Sequence, residues 1–208
     1  FEVQYNPFLG QTNGLHILQF QETPGVFKIY ATDANFQNTI TLLTTSQAAT
    51  EGVFFDGKLM FSVDNNLYIT DGSVVGTTIL KAGISNFIAS DDINFGDKLV
   101  FTASTAAEGE ELWITDGTTG GTVIMGDINT NTGSGSQIRD RVFFNDVIYF
   151  TADDGGTGAG ASGRQLYRTG LSTAAPATIK VTQAIVNFDP QSLTVYNNLL
   201  YFSAFSTG

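Results

Sequence analysis

The residues in this sequence that could do chemistry are nearly all acids. Aspartate and glutamate number 20 against 9 lysines and arginines, a formal charge of -11, with one histidine and no cysteine. Disulfides, thiolate metal sites and cysteine nucleophiles are thereby excluded, and His16 alone cannot build an imidazole metal cage. What remains is carboxylate and amide oxygen, the ligand set that hard cations such as calcium prefer. Two stretches concentrate it. One holds Glu108, Glu110 and Glu111, and the other is Asp153-Asp154-Gly155-Gly156, which opens a glycine-rich insertion ending at Arg164. Glu108, Glu110, Asp153 and Asp154 are therefore the metal candidates and calcium the ion such oxygens would take, but neither stretch has EF-hand or nonapeptide calcium-repeat spacing, and a solvated loop is the competing reading. Asp91-Asp92 has the same composition in a linker. Paired carboxylates can also hydrolyse glycosidic bonds, but spacing singles out no pair, and Arg139, Arg141 and Arg164 are the arginines at hand to assist them.

The charge also selects partners. A chain this acidic repels phosphate backbones and anionic headgroups, so nucleic acid is not expected as a partner, and no apolar run approaches the roughly 20 residues that a spanning helix needs, so membrane insertion is not expected either. The chain begins at Phe1 with neither methionine nor a signal-like apolar run, as a processed product or a fragment would.

The elements that must position these acids are short strands. Four hairpins share one grammar: an apolar run, a two-residue polar turn, and a second apolar run. Asp56-Gly57, Gly96-Asp97, Asn145-Asp146 and Asn197-Asn198 form the turns, and these residue types tolerate the positive φ that tight hairpins require. A third strand carries a Leu-aromatic pair at Leu67-Tyr68, Leu112-Trp113 and Leu166-Tyr167, with Ile29-Tyr30 as a weaker copy. A fourth follows a Gly-Thr turn at Gly76-Thr77 and Gly121-Thr122. Asp71 and Asp116 recur 45 residues apart, about one four-stranded propeller blade. The strands are apolar on both faces, as sheets stacked between neighbours should be.

The fold class that follows is all-β: a β-propeller of four-stranded antiparallel blades, forming one repeat region over 1–208. Blades fall at about 8–45, 46–85, 86–130 and 131–183, with a half blade from 184, and the register of Phe1 to Tyr5 is open. Four and a half blades favour part of a larger ring. His16 aligns with Leu59 and Leu99, which makes it a packed strand residue. Tyr30, Tyr68, Trp113 and Tyr167 occupy one column, which favours packing over sugar stacking. Asp71-Gly72 and Asp116-Gly117 read as structural turns, the aspartate accepting backbone N–H groups. Alternate connections of a blade emerge on opposite sides, which puts the loops between second and third strands on one face. That face carries Asp64, Asn65, Glu108, Glu110, Glu111, Asp153, Asp154 and Arg164, and is the expected ligand-binding face.

The segment from Glu111 to Thr122, Glu-Leu-Trp-Ile-Thr-Asp-Gly-Thr-Thr-Gly-Gly-Thr, closely resembles the ELWxxDGT repeat of large secreted and surface proteins of bacteria. Asn66 to Ser73 with Gly76-Thr77 is a second copy, and Asp127-Ile128-Asn129 with Gly133 to Ser136 resembles the linker between such repeats. The fourth repeat loses the aspartate at Gly170, and the first has Asp33-Ala34 in place of Asp-Gly. The resemblance implies a location outside the cell or at its surface, and a non-catalytic module for adhesion, ligand binding or surface assembly. Its partners would be a cell-surface protein, a glycan or further repeats of the same parent chain. The competing expectation is a propeller-type enzyme acting on extracellular polysaccharide through carboxylates on the long-loop face.

Overall fold

The computed structural model describes residues 6–50, 52–89, 94–156, 163–174, 176–182 and 188–205, and among these there is no helix. Phe1 to Tyr5, Asp91-Asp92, the start of the half blade and the middle of the glycine-rich insertion lie outside the described residues.

Alternating apolar residues and tight polar turns fold the described residues into eighteen strands. The first sheet contains β1 (Phe8–Thr12), β2 (Leu15–Thr23), β3 (Val26–Thr32) and β4 (Thr39–Thr45) in sequence order. The second contains β5 (Val53–Phe55), β6 (Lys58–Val63), β7 (Asn66–Thr70) and β8 (Thr78–Ala82), and the third β9 (Ser85–Ile88), β10 (Leu99–Thr105), β11 (Gly109–Thr115) and β12 (Val123–Ile124). The fourth has β13 (Arg139–Phe144), β14 (Val147–Asp153), β15 (Arg164–Gly170) and β16 (Ile179–Lys180), and a two-stranded sheet of β17 (Gln191–Tyr196) and β18 (Leu199–Ser203) follows. The protein is thus all-β, a succession of antiparallel meanders.

Local chemistry explains the turns. Asn13, Asp56, Asp64-Asn65, Asn145-Asp146 and Asn197-Asn198 all have positive φ at hairpin tips, where short polar side chains tolerate it. The hairpin expected through Ile93-Asn94-Phe95 is reduced to a single bridge between Asn94 and Leu99, and Ser85–Ile88 supplies the outer strand of the third sheet instead.

The chain divides into two compact units, Phe1–Leu99 with Asp116–Thr122, and Val100–Thr115 with Val123–Gly208. In the first, the inner residues Leu9, Ile17, Ile29 and Ala31 of the first sheet share one core with Leu59, Phe61 and Val63 of the second. Registers assign these to opposite faces of equivalent strands. Ile17 pairs with Ala31, on the side of the first sheet that looks toward the second. Phe61 pairs with Tyr68, on the side of the second that looks back. Hydrogen bonds fasten the same joint: Gly52 N–H donates to Leu9 O at 2.9 Å and Thr12 Oγ1 to Gly57 O at 2.8 Å. Gln19, fully buried, accepts from Ala49 N–H at 2.7 Å and donates to Ala49 O at 3.1 Å, clasping the connection between the sheets.

In the second unit the aromatic column stacks across the strands. Trp113 lies over Phe101 with ring centroids 6.5 Å apart, and Tyr167 over Phe150 at 5.9 Å. Leu67, Leu112 and Leu166 occupy the same third-strand position in three sheets, all buried. Thr178 Oγ1 donates to Met125 O at 2.5 Å, joining the fourth sheet to the end of the third.

Candidate functional site

The Asp-Gly-Thr turns are built twice with the same bonds. Asp71 Oδ1 accepts from Ser73 N–H at 2.8 Å and Ser73 Oγ at 2.7 Å, and Asp116 Oδ1 from Thr118 N–H at 2.9 Å and Thr118 Oγ1 at 2.6 Å. The hydroxyl then accepts in turn from Gly76 N–H at 2.9 Å or Gly121 N–H at 3.0 Å. A Cβ on Gly76 or Gly121 would lie 2.0 Å from the aspartate Oδ1, which accounts for the glycine four residues after Gly72 and Gly117. The hydroxyls and amides donated to them hold both carboxyls below the usual aspartate range. The first repeat substitutes Asn38 for that glycine, and its side chain donates to Asp33 Oδ2 at 2.6 Å while Gln37 N–H donates to Oδ1 at 2.9 Å. The turn therefore survives the loss of the Asp-Gly pair, because the amide fills the space the glycine leaves. Asn13 Nδ2 donates to Asp71 O at 3.0 Å, bringing the first-to-second-strand tip of one repeat against the Asp-Gly turn of the next.

At the other ends of the strands, the acids expected to face a ligand are engaged in holding the connections. Asp64, beside Asn65 in its hairpin tip, accepts from Ser46 N–H at 2.9 Å and Ser46 Oγ at 2.7 Å. Glu108 accepts from Thr105 Oγ1 and its own N–H donates back at 3.0 Å. Asp153 and Asp154 accept from Gly155 and Gly156 N–H at 2.9 and 3.2 Å, and Asp154 also pairs with Lys180 at 2.7 Å. Among the described residues no group of three or more His, Asp or Glu could hold a metal ion, and the metal candidates Glu108, Glu110, Asp153 and Asp154 form no oxygen cage of the kind calcium takes.

Glu111 departs most from expectation. The stretch from Ser104 to Glu111 read as a loop with three exposed acids, whereas β10 runs to Thr105, β11 begins at Gly109, and Glu111 is fully buried in strand. Alternation along β11 is the reason: Glu111 lies on the face of Trp113 and Thr115, opposite to Glu110. Its Oε1 accepts from Ser136 Oγ, and from Asn129 N–H at 3.5 Å, while Asn129 N–H also donates to Ser136 Oγ at 2.9 Å. Asn129 Nδ2 reaches Gly135 O at 3.2 Å. Oε2 is buried with no hydrogen-bond partner. Burial pushes the carboxyl up to about 7 against the pull of Ser136 and Asn129. The linker lies this close because Gly109, at φ +71, has no Cβ: one there would meet Ser134 C at 2.4 Å. The same strand alternation that assigns Trp113 to the interior was the available signal for Glu111.

A cleft of about 490 Å³ opens in the second unit between Gln137, Arg139, Asp153, Arg164, Asp189 and Phe205. It brings together the expected Asp153 and Arg164, adds Asp189 and Phe205, and leaves Asp64, Asn65, Glu108 and Glu110 outside its walls. Arg164 is nearly buried; its guanidinium donates to Gln137 O at 2.7 Å and Thr151 O at 3.3 Å, and Nε stands 3.7 Å from Asp189 Oδ1. Desolvation draws its pKa below the ordinary arginine value, with the Arg139 charge adding to the effect. Asp189 Oδ2 accepts from Gln191 Nε2 at 2.6 Å. The cleft thus offers two guanidinium and two carboxylate groups beside an exposed aromatic ring, Phe205.

His16 pairs with Thr32 where Leu59 pairs with Thr70, so the two share a slot, and its ring stacks on Phe36 at 6.4 Å.

No family model and no curated protein matches the chain. Solved structures similar to it include a puromycin hydrolase S511A mutant (13% identity, 90% of this chain and 31% of that one, TM-score 0.44). TolB from Acinetobacter baumannii is similar at 19% identity, over 84% of this chain and 43% of that one, with a TM-score of 0.43. The N-terminal domain of Nup159 matches at 8% identity, over 87% of this chain and 49% of that one, with a TM-score of 0.42. The chain spans less than half the length of each of these structures.

Proposed function

We propose that this chain is a non-catalytic repeat module of a large secreted or surface protein of bacteria, of the kind the ELWxxDGT resemblance implies, with its sheets arranged as blades of a β-propeller. Its task is to present the cleft at Arg164 to a glycan or a cell-surface protein. The observation that carries this reading is the use made of the repeat's polar signature. The Asp71 and Asp116 turns, the Gln19 clasp and the Glu111–Asn129–Ser136 network all bind repeat to turn or linker, as a scaffold requires. The cleft lies where the ends of β13, β14 and β15, at Arg139, Asp153 and Arg164, meet the connections that carry Gln137, Asp189 and Phe205, the usual place for recognition on a rigid scaffold.

An array of acidic and neutral oligosaccharides tests it. Retention of one class, reduced about tenfold or more in Arg139→Ala and Asp189→Asn, is expected. Equal retention by both variants, or no retention of any oligosaccharide or surface protein extract component, counts against it. One observation favours a second reading: the cleft gathers the two carboxylates and the basic groups that a polysaccharide-cleaving site requires. Release of reducing ends from a retained polysaccharide, abolished in Asp153→Asn, would select that enzyme reading over the binding one.

A further inference from the structure

The position before the third-strand leucine is filled differently in three sheets, by Asn66, Glu111 and Gln165. Gln165 is as fully buried as Glu111, and its Oε1 accepts from Thr182 Oγ1 at 2.9 Å, much as Glu111 Oε1 accepts from Ser136 Oγ. A neutral amide therefore fills this slot and makes the same kind of bond to the connection that follows its sheet. In the third sheet the slot holds an acid instead, with Oε2 buried and without a hydrogen-bond partner. What the acid has and the amide lacks is a proton that can leave. The linker it bonds lies along the tip of β10 and β11: Gly133 N–H donates to Ala107 O at 2.7 Å and Ser136 N–H to Glu110 O at 2.9 Å. The same linker reaches the cleft within the second unit. Ser136 O accepts from Asp153 N–H at 2.7 Å, Asn131 Nδ2 donates to Gly155 O at 3.1 Å, and Gln137, the next residue, holds the Arg164 guanidinium through its carbonyl.

We propose that the linker from Asn129 to Ser136 is a proton-operated strap, seated on β11 while Glu111 carries its proton and released when the proton leaves, loosening the cleft wall at Asp153 and Arg164. A charge on Oε2 finds no donor in the seated arrangement, so it must recruit water, and Asn129 and Ser136, both buried against the carboxyl, must lift to admit it. The bonds on Oε1 favour the charged form, but burial outweighs them. The neighbouring elements add little to oppose that. β10 and β12 carry no charged residue, and the linker brings Asp127, whose charge works against ionisation of Glu111 and is itself faced by Glu108. β15 brings Tyr167, whose own ionisation Glu111 opposes, and Glu110 lies on the other face of β11. The inference uses the bonds of the cleft and not its ligand, so oligosaccharide retention can fail without touching it.

Native-state hydrogen exchange of the whole chain, with the intrinsic rate of each amide divided out, provides the test. The Gly133, Ser136 and Asp153 amides should open about tenfold or more as often at pH 7 as at pH 5 and level off above that, because the seated carboxyl holds its proton up to about 7 and the released one does not. Amides of the β14–β15 ladder should keep their protection throughout. In Glu111→Gln the three linker amides should open equally at both pH values, and Gln165 shows that glutamine is accommodated in this slot. Asp127→Asn, at an exposed position, leaves the buried slot intact and removes a charge that opposes ionisation, so the rise should shrink. A wild type without the rise, or a rise that persists in Glu111→Gln, overturns the inference. So does a parallel rise in the β14–β15 ladder, which would make the proton a support of the whole unit, or a rise that Asp127→Asn enlarges. Acceleration at Gly133 and Ser136 that leaves Asp153 protected overturns the link to the cleft.

Discussion

The carboxylates of the Asp-Gly turns and the carboxylate of Glu111 belong to one recurring motif, and their surroundings shift their titration in opposite directions. Asp71 and Asp116 sit in partly exposed turns where every bond offered to them favours the charged form. Glu111 sits in a sealed interior where one oxygen is bonded, the other is not, and desolvation dominates. The difference teaches that an acid's position along the strand decides its role here. Just past the strand end it organises a turn, and within the strand, at Glu111, it becomes a proton-bearing tie between strand and linker.

The largest expected effect comes from closing the space that the turn carboxylate occupies. Gly121→Val sets a side chain where Asp116 Oδ1 lies 2.0 Å from a Cβ, so the Asp116–Thr118 bonds cannot form together with it. A loss of about 3 kcal/mol is expected, read as a lowered midpoint in urea unfolding. Asp116→Ala in the same background should cost little more, since the two changes break one network. Independent, additive losses would mean that the turn is held by something else.

Glu111→Gln follows in size and has the opposite sign. In the wild type the folded carboxyl holds its proton up to about 7, well above the unfolded value of 4.5. Between those values the folded state binds the proton that the unfolded state releases, so this stabilisation is complete below about pH 4.5 and is lost as pH rises through 7. Glutamine keeps the oxygen that accepts from Ser136 and carries no charge to bury. The variant should therefore gain on the order of 2 kcal/mol at pH 8, with no gain at pH 4. Thermal melts across that range decide it, and a variant that tracks the wild type at both ends would place the ionised carboxylate in a solvated site.

Much of the architecture was legible because it is written in residues that act locally. Asp56-Gly57, Asn145-Asp146 and Asn197-Asn198 name their hairpins, and Leu67, Leu112 and Leu166 fall on one buried column because strand alternation forces it. The turn role of Asp71 and Asp116 was readable for the same reason. Glu111 was misjudged because the local cue, three glutamates around a glycine, describes a loop and outweighed the strand alternation that puts Glu111 on the face of Trp113. The cleft was half legible: Asp153 and Arg164 flank the insertion in sequence, whereas Asp189 arrives from the connection before β17, a tertiary meeting that no spacing announces.

The smallest expected effect is the acid limb of the comparison. For Asp71 and Asp116 the folded pKa lies below the unfolded one, so their stabilisation is present above about pH 4 and is lost as pH falls through the folded values. Both are near solvent, where such bonds are screened, and each should contribute about 1 kcal/mol or less. Asp71→Asn preserves an oxygen for Ser73 N–H while removing the charge. It should narrow the drop in melting temperature between pH 5 and pH 3 by a few degrees and leave the pH 5 to 8 limb, which belongs to Glu111, as it was. Because the two limbs arise from different residues, Asp71→Asn and Glu111→Gln combined should flatten both by the sum of their separate effects. A departure from additivity would mean that the turn and the buried tie move together, which joins the two sites the comparison keeps apart.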